Sequence, residues 1–293
     1  MVKIAQSWLG DMFKQFVSAA KILTRQVQPG MSLKVRPDDT FLVSYPKSGN
    51  TWMRFLIANL LQQDPPVGLL DADSLIPSVD AKSKRFFDEM KSPRVIKSHF
   101  SFIPAYRRVI YVVRDPRDVV MSQYHYQIKR GVLEQGSSLD SFVSRFLQGE
   151  VCPYGSWGDN VGSWTATRRD DSNFLLLRYE DMLADVTSGA ARIATFLGLG
   201  RNANCVATAV ERSSLENMRK VEKAEGARWD STKGTRQDIS FFRSAKSGEG
   251  RARLSPESIE RIEDAWGHLM HSLGYAVSSM KPVEALSPAP IHL

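Results

Sequence analysis

Residues 45–52 read Y-P-K-S-G-N-T-W, directly after an apolar run and directly before a stretch with helical spacing. A short loop at the start of a helix presents backbone amides without intrahelical partners and the positive end of the helix dipole, and together these attract an anion. Gly49 lets the backbone approach a bound group closely. Lys47 adds a point charge, Ser48 and Thr51 add hydroxyl donors, and Asn50 lies between them in the same loop. The result is a P-loop-like cradle for a phosphate-like anion. It is not the nucleotide triphosphatase loop, whose G-x-x-x-x-G-K-[ST] order places lysine after glycine. Taken alone, so short a segment reads also as a plain turn, with Pro46 and Gly49 bending the chain and Lys47 in solvent.

Other positions have side chains suited to work on such an anion. His99 follows Lys97 by two residues at the end of an apolar run. A hydroxyl nucleophile requires a base with a pKa near the working pH, which histidine supplies, and repulsion from Lys97 favours the neutral, proton-accepting ring. Without a partner anion the same histidine is an ordinary surface residue. Arg114 ends another apolar run; its planar fork suits phosphate, and an ion pair with Asp115 or Asp118 would occupy it equally well. Ser122 falls about two helical turns beyond. Trp52 suits a core or a stacking surface.

Together these segments resemble the cytosolic-type sulfotransferases, the enzymes that use 3′-phosphoadenosine 5′-phosphosulfate (PAPS). Residues 45–52 resemble that family's 5′-phosphosulfate loop, and V-I-K-S-H-F at 95–100 its catalytic segment. V-I-Y-V-V-R-D-P-R-D-V-V-M-S at 109–122 is similar to its 3′-phosphate segment, and L-R-Y-E-D-M at 177–182 to one whose tyrosine contacts adenine. The segments keep the family's order across residues 40–273.

The resemblance implies PAPS as donor co-substrate, no metal, and in-line transfer of a sulfuryl group to a hydroxyl, or an amine, of a small acceptor. His99 becomes the general base, with Lys47 and Lys97 as the other catalytic residues. Lys47, Ser48, Gly49, Asn50 and Thr51 hold the phosphosulfate, Trp52 and Tyr179 the adenine, and Arg114 and Ser122 the 3′-phosphate. R-S-S-L-E-N-M at 212–218 resembles a second adenine segment, with Ser213 where threonine is usual. Phe241, Phe242 and Arg243 resemble the start of a second 3′-phosphate segment. There the chain departs from the family: the usual R-K-G reads Arg243-Ser244-Ala245, and G-D-W reads Gly248-Glu249-Gly250.

The elements that must position these residues alternate in type. Apolar runs at 40–45, 94–98, 108–113 and 173–177 predict strands. Helical spacing or capping predicts helices at 51–63, 115–129, 138–148, 156–168, 187–197 and 214–224, with Ser255-Pro256 opening the last. Strands alternating with helices predict a single α/β domain whose central parallel sheet is flanked by helices. Residues 226–254, rich in Lys and Arg, predict a long basic loop that is either disordered or a binding lid, with 226–250 expected to be mobile in the empty protein and ordered by the bisphosphate nucleotide. The expected organisation is an amphipathic helix at 1–30, a sulfotransferase domain at 31–280, and a mobile Pro-rich tail at 281–293.

Composition narrows the class. The 293 residues carry 42% hydrophobic and 24% charged side chains, near globular averages, which excludes wholesale disorder, collagen-like repeats and a long coiled coil. A formal charge of +7 is too small for a polyanion-coating protein, so a local anionic partner is expected and nucleic acid is not. Two cysteines, Cys152 and Cys205, with no paired spacing support neither a disulfide framework nor a zinc site and suggest a reducing, cytoplasmic setting. No apolar run reaches the length of about 18 residues that spans a bilayer. The readings set against the sulfotransferase are a P-loop phosphotransferase and a non-catalytic basic binder of nucleic acid or membrane, the latter using residues 1–27 as a surface helix. Phe86, Phe87, Tyr154 and Trp157, in regions that border the family's acceptor pocket, suggest an apolar alcohol or phenol as acceptor. The sequence assigns no oligomeric state.

Overall fold

The structure is a computed structural model that describes residues 33–280; the helix expected at 1–30 and the tail at 281–293 lie outside the described residues. Its sheet has four parallel strands in the order β2-β1-β3-β4: β1 (Thr40–Ser44), β2 (Val95–Ser98), β3 (Arg108–Val113) and β4 (Phe174–Arg178). All four coincide with the predicted runs to within a residue at each end. The runs are apolar throughout because both faces of the sheet are covered. Successive side chains leave opposite faces. Phe41, Val43, Val109, Tyr111 and Val113 therefore enter one core with Trp164 and Phe146, while Leu42, Ile110 and Val112 enter the other with Phe55 and Ile193.

Helices fill the connections. After β1 come α1 (Asn50–Leu61), α2 (Leu69–Leu75) and α3 (Lys84–Glu89), and after β3 come α4 (Pro116–Lys129), α5 (Leu139–Leu147) and α6 (Trp157–Arg168). Beyond β4 lie α7 (Tyr179–Ala184), α8 (Val186–Leu197), α9 (Ala203–Arg212), α10 (Leu215–Glu225), α11 (Glu249–Arg253) and α12 (Pro256–Ser272). The predicted starts rest on caps. The hydroxyls of Ser138, Ser156, Ser214 and Ser255 accept from backbone amides three residues ahead, and the Asp115 carboxylate accepts from Arg117 N. Helices α2, α3, α7, α9 and α11 were not expected. Most are too short for a hydrophobic period to register, and tertiary packing supports them.

Residues 226–248 have no helix or strand, as a loop reading expects, but the segment is anchored. Trp229 is 1% exposed, stacks on Phe242 at an interplanar angle of 15°, and anchors the segment in the core beside α1. Lys129 Nζ donates to the carbonyls of Arg236 and Ile239, and Glu222 accepts from the amides of Phe241 and Phe242. The charge pattern concealed this anchoring, because one buried tryptophan outweighs several solvated cations.

β1 is central, and the chain moves from it to β2 on one side and to β3 and β4 on the other. In open sheets with such a reversal, ligands bind in the crevice outside the carboxyl ends of the strands.

Candidate active site

A cavity of about 700 Å³ opens at that crevice. β1 delivers the loop at 45–52, β2 delivers Lys97 and His99, β3 delivers Arg114, and β4 delivers Tyr179. Of the positions expected to bind or react, Ser48 alone does not line the cavity; it is buried within the loop.

The loop is held in an uncommon backbone conformation. Lys47 and Gly49 have φ of 71° and 98°. A side chain at 49 would place its Cβ 2.5 Å from the Tyr179 ring, so glycine is required by contact as well as by torsion. Asn50 Nδ2 donates to Ser44 Oγ at 3.0 Å, closing the loop on the strand it leaves. The Lys47 ammonium lies 4.0 Å from the centroid of the Tyr126 ring and 4.2 Å from that of Phe241, a cation held by two aromatic faces without a carboxylate partner among the described residues. Burial, followed by repulsion from Arg114, Arg243, Lys97 and Lys129, lowers its pKa to about 7.

His99 contacts the Ser44 carbonyl through Nδ1 at 2.7 Å. A carbonyl only accepts, so Nδ1 carries the proton and Nε2 is left as the acceptor. The backbone around it is fixed by Asn160 Nδ2, which donates to the His99 carbonyl at 2.9 Å, and the Tyr154 ring meets the imidazole edge-on at 5.3 Å. Burial first, and Lys97 second, push the ring pKa down to about 3, while the Ser44 bond and Asp80 act in the opposite direction. The repulsion expected from Lys97 is present, with desolvation as the larger cause. Lys97 is itself lowered to about 8 by burial and Arg54. Its amide donates to Pro77 and its carbonyl accepts from Val79, so an extended segment at 77–79 braces the outer edge of β2.

At the opposite end Arg114 Nη2 donates to the Lys246 carbonyl at 3.1 Å and lies 3.7 Å from Asp118, the second of the two carboxylates foreseen as its partner. Asp115 instead pairs with Arg117. The Arg114 guanidinium also sits 4.3 Å over the Tyr179 ring, and its Nε is buried without a partner. Ser122 lines the cavity from α4. Arg243 lines it too, but both its terminal nitrogens are taken by Glu249, at 3.0 and 2.5 Å. Ala245 stands at φ 46°, a conformation that favours glycine, in the position where the resembled pattern has one.

Between the ends, Trp52 Nε1 donates to the Ser213 carbonyl at 3.1 Å and its ring meets Tyr179 edge-on at 5.5 Å. Trp52 borders the cavity and also packs against the core. The side-chain atoms Asn50 Oδ1, Arg114 Nε and Ser213 Oγ around this wall are buried and lack partners. Orphaned polar atoms around a cation-lined cleft fit a polar anionic nucleotide.

Tyr126 was missed. It lies four residues after Ser122 on α4, so the helical period that placed the serine also places the ring. Of the four aromatic residues offered for an acceptor pocket, Tyr154 alone lines the cavity; Phe87 and Trp157 are core, and Phe86 packs against it. No sequence signal marked the pairing of Arg243 with Glu249. Among the described residues there is no cluster of three or more His, Cys, Asp or Glu suited to a metal, and no helix is long and apolar enough to cross a membrane.

The family model described as sulfotransferase domain matches residues 37–274. Sulfotransferase 2B1 of Mus musculus is 28% identical, covering 82% of this chain and 73% of that protein. The 3-beta-hydroxysteroid sulfotransferase of Cavia porcellus is 28% identical over 90% of this chain and 93% of its own length. The crystal structure of mouse sulfotransferase SULT7A1 complexed with PAP superposes with a TM-score of 0.65 at 27% identity, covering 82% of this chain and 87% of that one. With its strand ends converging on a cation-lined cleft and a family model spanning nearly all of the described residues, this chain belongs to the sulfotransferase family.

Proposed function

We propose that the cavity binds PAPS with its 5′-phosphosulfate on the 45–52 loop and its 3′-phosphate toward Arg114, Ser122 and Arg243, and that His99 is the base for sulfuryl transfer to a small acceptor. The observation that carries this reading is the Ser44 carbonyl on His99 Nδ1, which leaves Nε2 as proton acceptor in a cavity that also holds Lys47 and Lys97. PAPS supplies the sulfuryl group and a phosphate leaving group. His99 Nε2 takes the acceptor's hydroxyl proton as the acceptor oxygen bonds to sulfur and the bond from sulfur to the bridging oxygen breaks, releasing adenosine 3′,5′-bisphosphate. Lys47 and the loop amides offset charge developing on that bridging oxygen, and Lys97 orients the sulfuryl oxygens. Burial first, and repulsion from neighbouring cations second, depress Lys47 and His99; a bound anion favours their charged forms and raises both toward the pH at which they work.

The fit to the donor rests on the orphaned Arg114 Nε, Asn50 Oδ1 and Ser213 Oγ together with the cation-lined wall. Trp52, Phe242 and Tyr179 flank the stretch assigned to adenine. For the acceptor, the wall beyond His99 is built from Val151, Cys152, Pro153 and Tyr154, which suits an apolar alcohol or phenol. The similarity to a protein named a 3-beta-hydroxysteroid sulfotransferase supports the same class. The two free cysteines fit a cytoplasmic setting. The test is transfer from labelled PAPS to a panel of phenols, sterols, glycosides and amines. Labelled product is expected with phenols or sterols and lost in His99→Ala. Transfer confined to glycosides or amines overturns the acceptor class, and full turnover in His99→Ala removes the base.

A further inference from the structure

The cations of the cavity are not equally available. Lys47 faces two aromatic rings with no acidic partner within ion-pair distance among the described residues, whereas Arg243 is fully engaged. Its two terminal nitrogens form a bidentate pair with the two oxygens of Glu249, the geometry in which a guanidinium also grips a phosphate. Glu249 opens α11, whose N-terminus is fixed to α4: the Gly248 and Gly250 amides donate to Asp118 at 2.8 and 2.7 Å. A side chain at 250 would strike the Arg117 backbone at 2.3 Å, so the two elements touch there and the carboxylate is carried on a rigid mount. Arg253 Nη1 donates to Glu249 Oε1 at 3.0 Å, and His125 Nε2 lies 3.7 Å from the same oxygen.

The backbone of Arg243 is independently held, because Arg219 donates to the carbonyls of Phe242 and Arg243. The Arg243 backbone and the Glu249 mount are each held by other contacts, and the ion pair joins their side chains. Arg243, Ser244 and Ala245 line the cavity, so a nucleotide phosphate reaching Arg243 meets a guanidinium whose bidentate face is already filled by a carboxylate.

We propose that Glu249 is an internal competitor for the 3′-phosphate, occupying Arg243 in the empty site and thereby lowering both the affinity for the bisphosphate nucleotide and the margin by which it is preferred over nucleotides lacking that phosphate. The inference rests on the assignment of this end of the cavity to the 3′-phosphate. A phosphate that arrives must draw Arg243 away from Glu249 or share it at short range with a second anion, and either costs binding free energy. The competition is constant across working pH. Burial would raise the Glu249 carboxyl, but its bonds to Arg243 and Arg253 hold it at about 2, and the facing groups are Arg243, Arg253 and His125, the last pushed down to about 4 by burial and Arg243.

Calorimetric titration of the full chain with adenosine 3′,5′-bisphosphate and with adenosine 5′-monophosphate tests this in wild type, Glu249→Gln and Glu249→Ala. Glu249→Gln is expected to tighten the bisphosphate about tenfold, equivalent to about 1.4 kcal/mol, and to leave the monophosphate within about twofold. Glu249→Ala should act in the same direction, with unchanged circular dichroism showing that α11 has not been lost. Bisphosphate affinity that stays level or weakens in both folded variants overturns the competitor role and makes Glu249 a support for Arg243. Equal tightening of both nucleotides moves the effect off the 3′-phosphate and likewise overturns it. Absence of bisphosphate binding in the wild type refutes instead the assignment of the cavity to this nucleotide, a result distinct from either.

Discussion

At one end of the cavity, the 45–52 loop, Lys97 and His99 come from two adjacent strand ends, and Lys47 faces aromatic rings. At the other, Arg114 and Arg243 come from segments more than a hundred residues apart and each has a carboxylate within ion-pair distance, Asp118 and Glu249. At the first end the lysine pKa values are depressed, with burial the larger cause and repulsion between cations adding to it: Lys47 falls to about 7, and Lys97, lowered by burial and Arg54 against the pull of Asp80 and Asp73, to about 8. The second end is settled before any ligand arrives. Repulsion left unrelieved at the first end is free energy that an anion can recover on binding, so that end is poised for chemistry. The paired arginines at the second end return less, because each new contact displaces or crowds an existing one.

The comparison can be broken most severely at His99. His99→Ala should lower the transfer rate about 10² to 10⁴-fold, as loss of a general base does, while bisphosphate affinity stays within a few-fold. A matching loss of affinity in calorimetry would mean that the two ends do not act separately.

Arg114→Ala addresses the other end. Its lost charge-assisted contact is worth about 1.5 to 3 kcal/mol, so binding of adenosine 3′,5′-bisphosphate should weaken by about ten- to a hundredfold while adenosine 5′-monophosphate is little affected. Equal losses for the two nucleotides would place Arg114 away from the 3′-phosphate.

A smaller effect sharpens the electrostatic contrast. In the free protein Lys47 is neutral above about pH 7, and a bound anion favours its charged form. Binding of the bisphosphate should therefore take up protons above that pH, and affinity should fall by up to about tenfold per pH unit for each proton taken up. The sign follows from the depressed free-state pKa: a lysine already charged has no proton to gain, so the dependence flattens as pH falls below about 7. Calorimetry in buffers of different ionisation enthalpy reads the proton count, and zero uptake at pH 8 would contradict the picture of an uncompensated Lys47.

The smallest expected change is in amide exchange. Nucleotide should add protection at residues 46–52 and across 240–250, and little at Trp229, which is already buried. Full protection of 240–250 in the empty protein would remove the lid expected there.

Much of this was legible in the sequence because it is local. The four strands declare themselves through continuous apolar runs, which a sheet covered on both faces requires. The turn at Gly49 and the serine caps depend on torsions and hydrogen bonds among near neighbours. The order of residues in the 45–52 loop distinguished it from a triphosphatase loop without any coordinates. Residues 226–254 have the expected loop character up to residue 248, but what anchors them was not legible. Their cations dominate the composition, while the feature that fixes them is Trp229, stacked on Phe242 of the same segment and bonded to Asp73 across the fold.

The sequence by itself determined the fold class, the family and about half of the residues on the cavity wall, since backbone periodicity and loop chemistry are set by residues close together in the chain. Only the tertiary structure decided the states in which those residues are held. The tautomer of His99 depends on the Ser44 carbonyl 55 residues away, and the proton affinity of Lys47 on burial among cations from other segments. The engagement of Arg243 depends on where α11 docks against α4. Charge interactions and desolvation act through space over a few ångströms, so their outcome is fixed by which segments the fold brings together and not by their order along the chain.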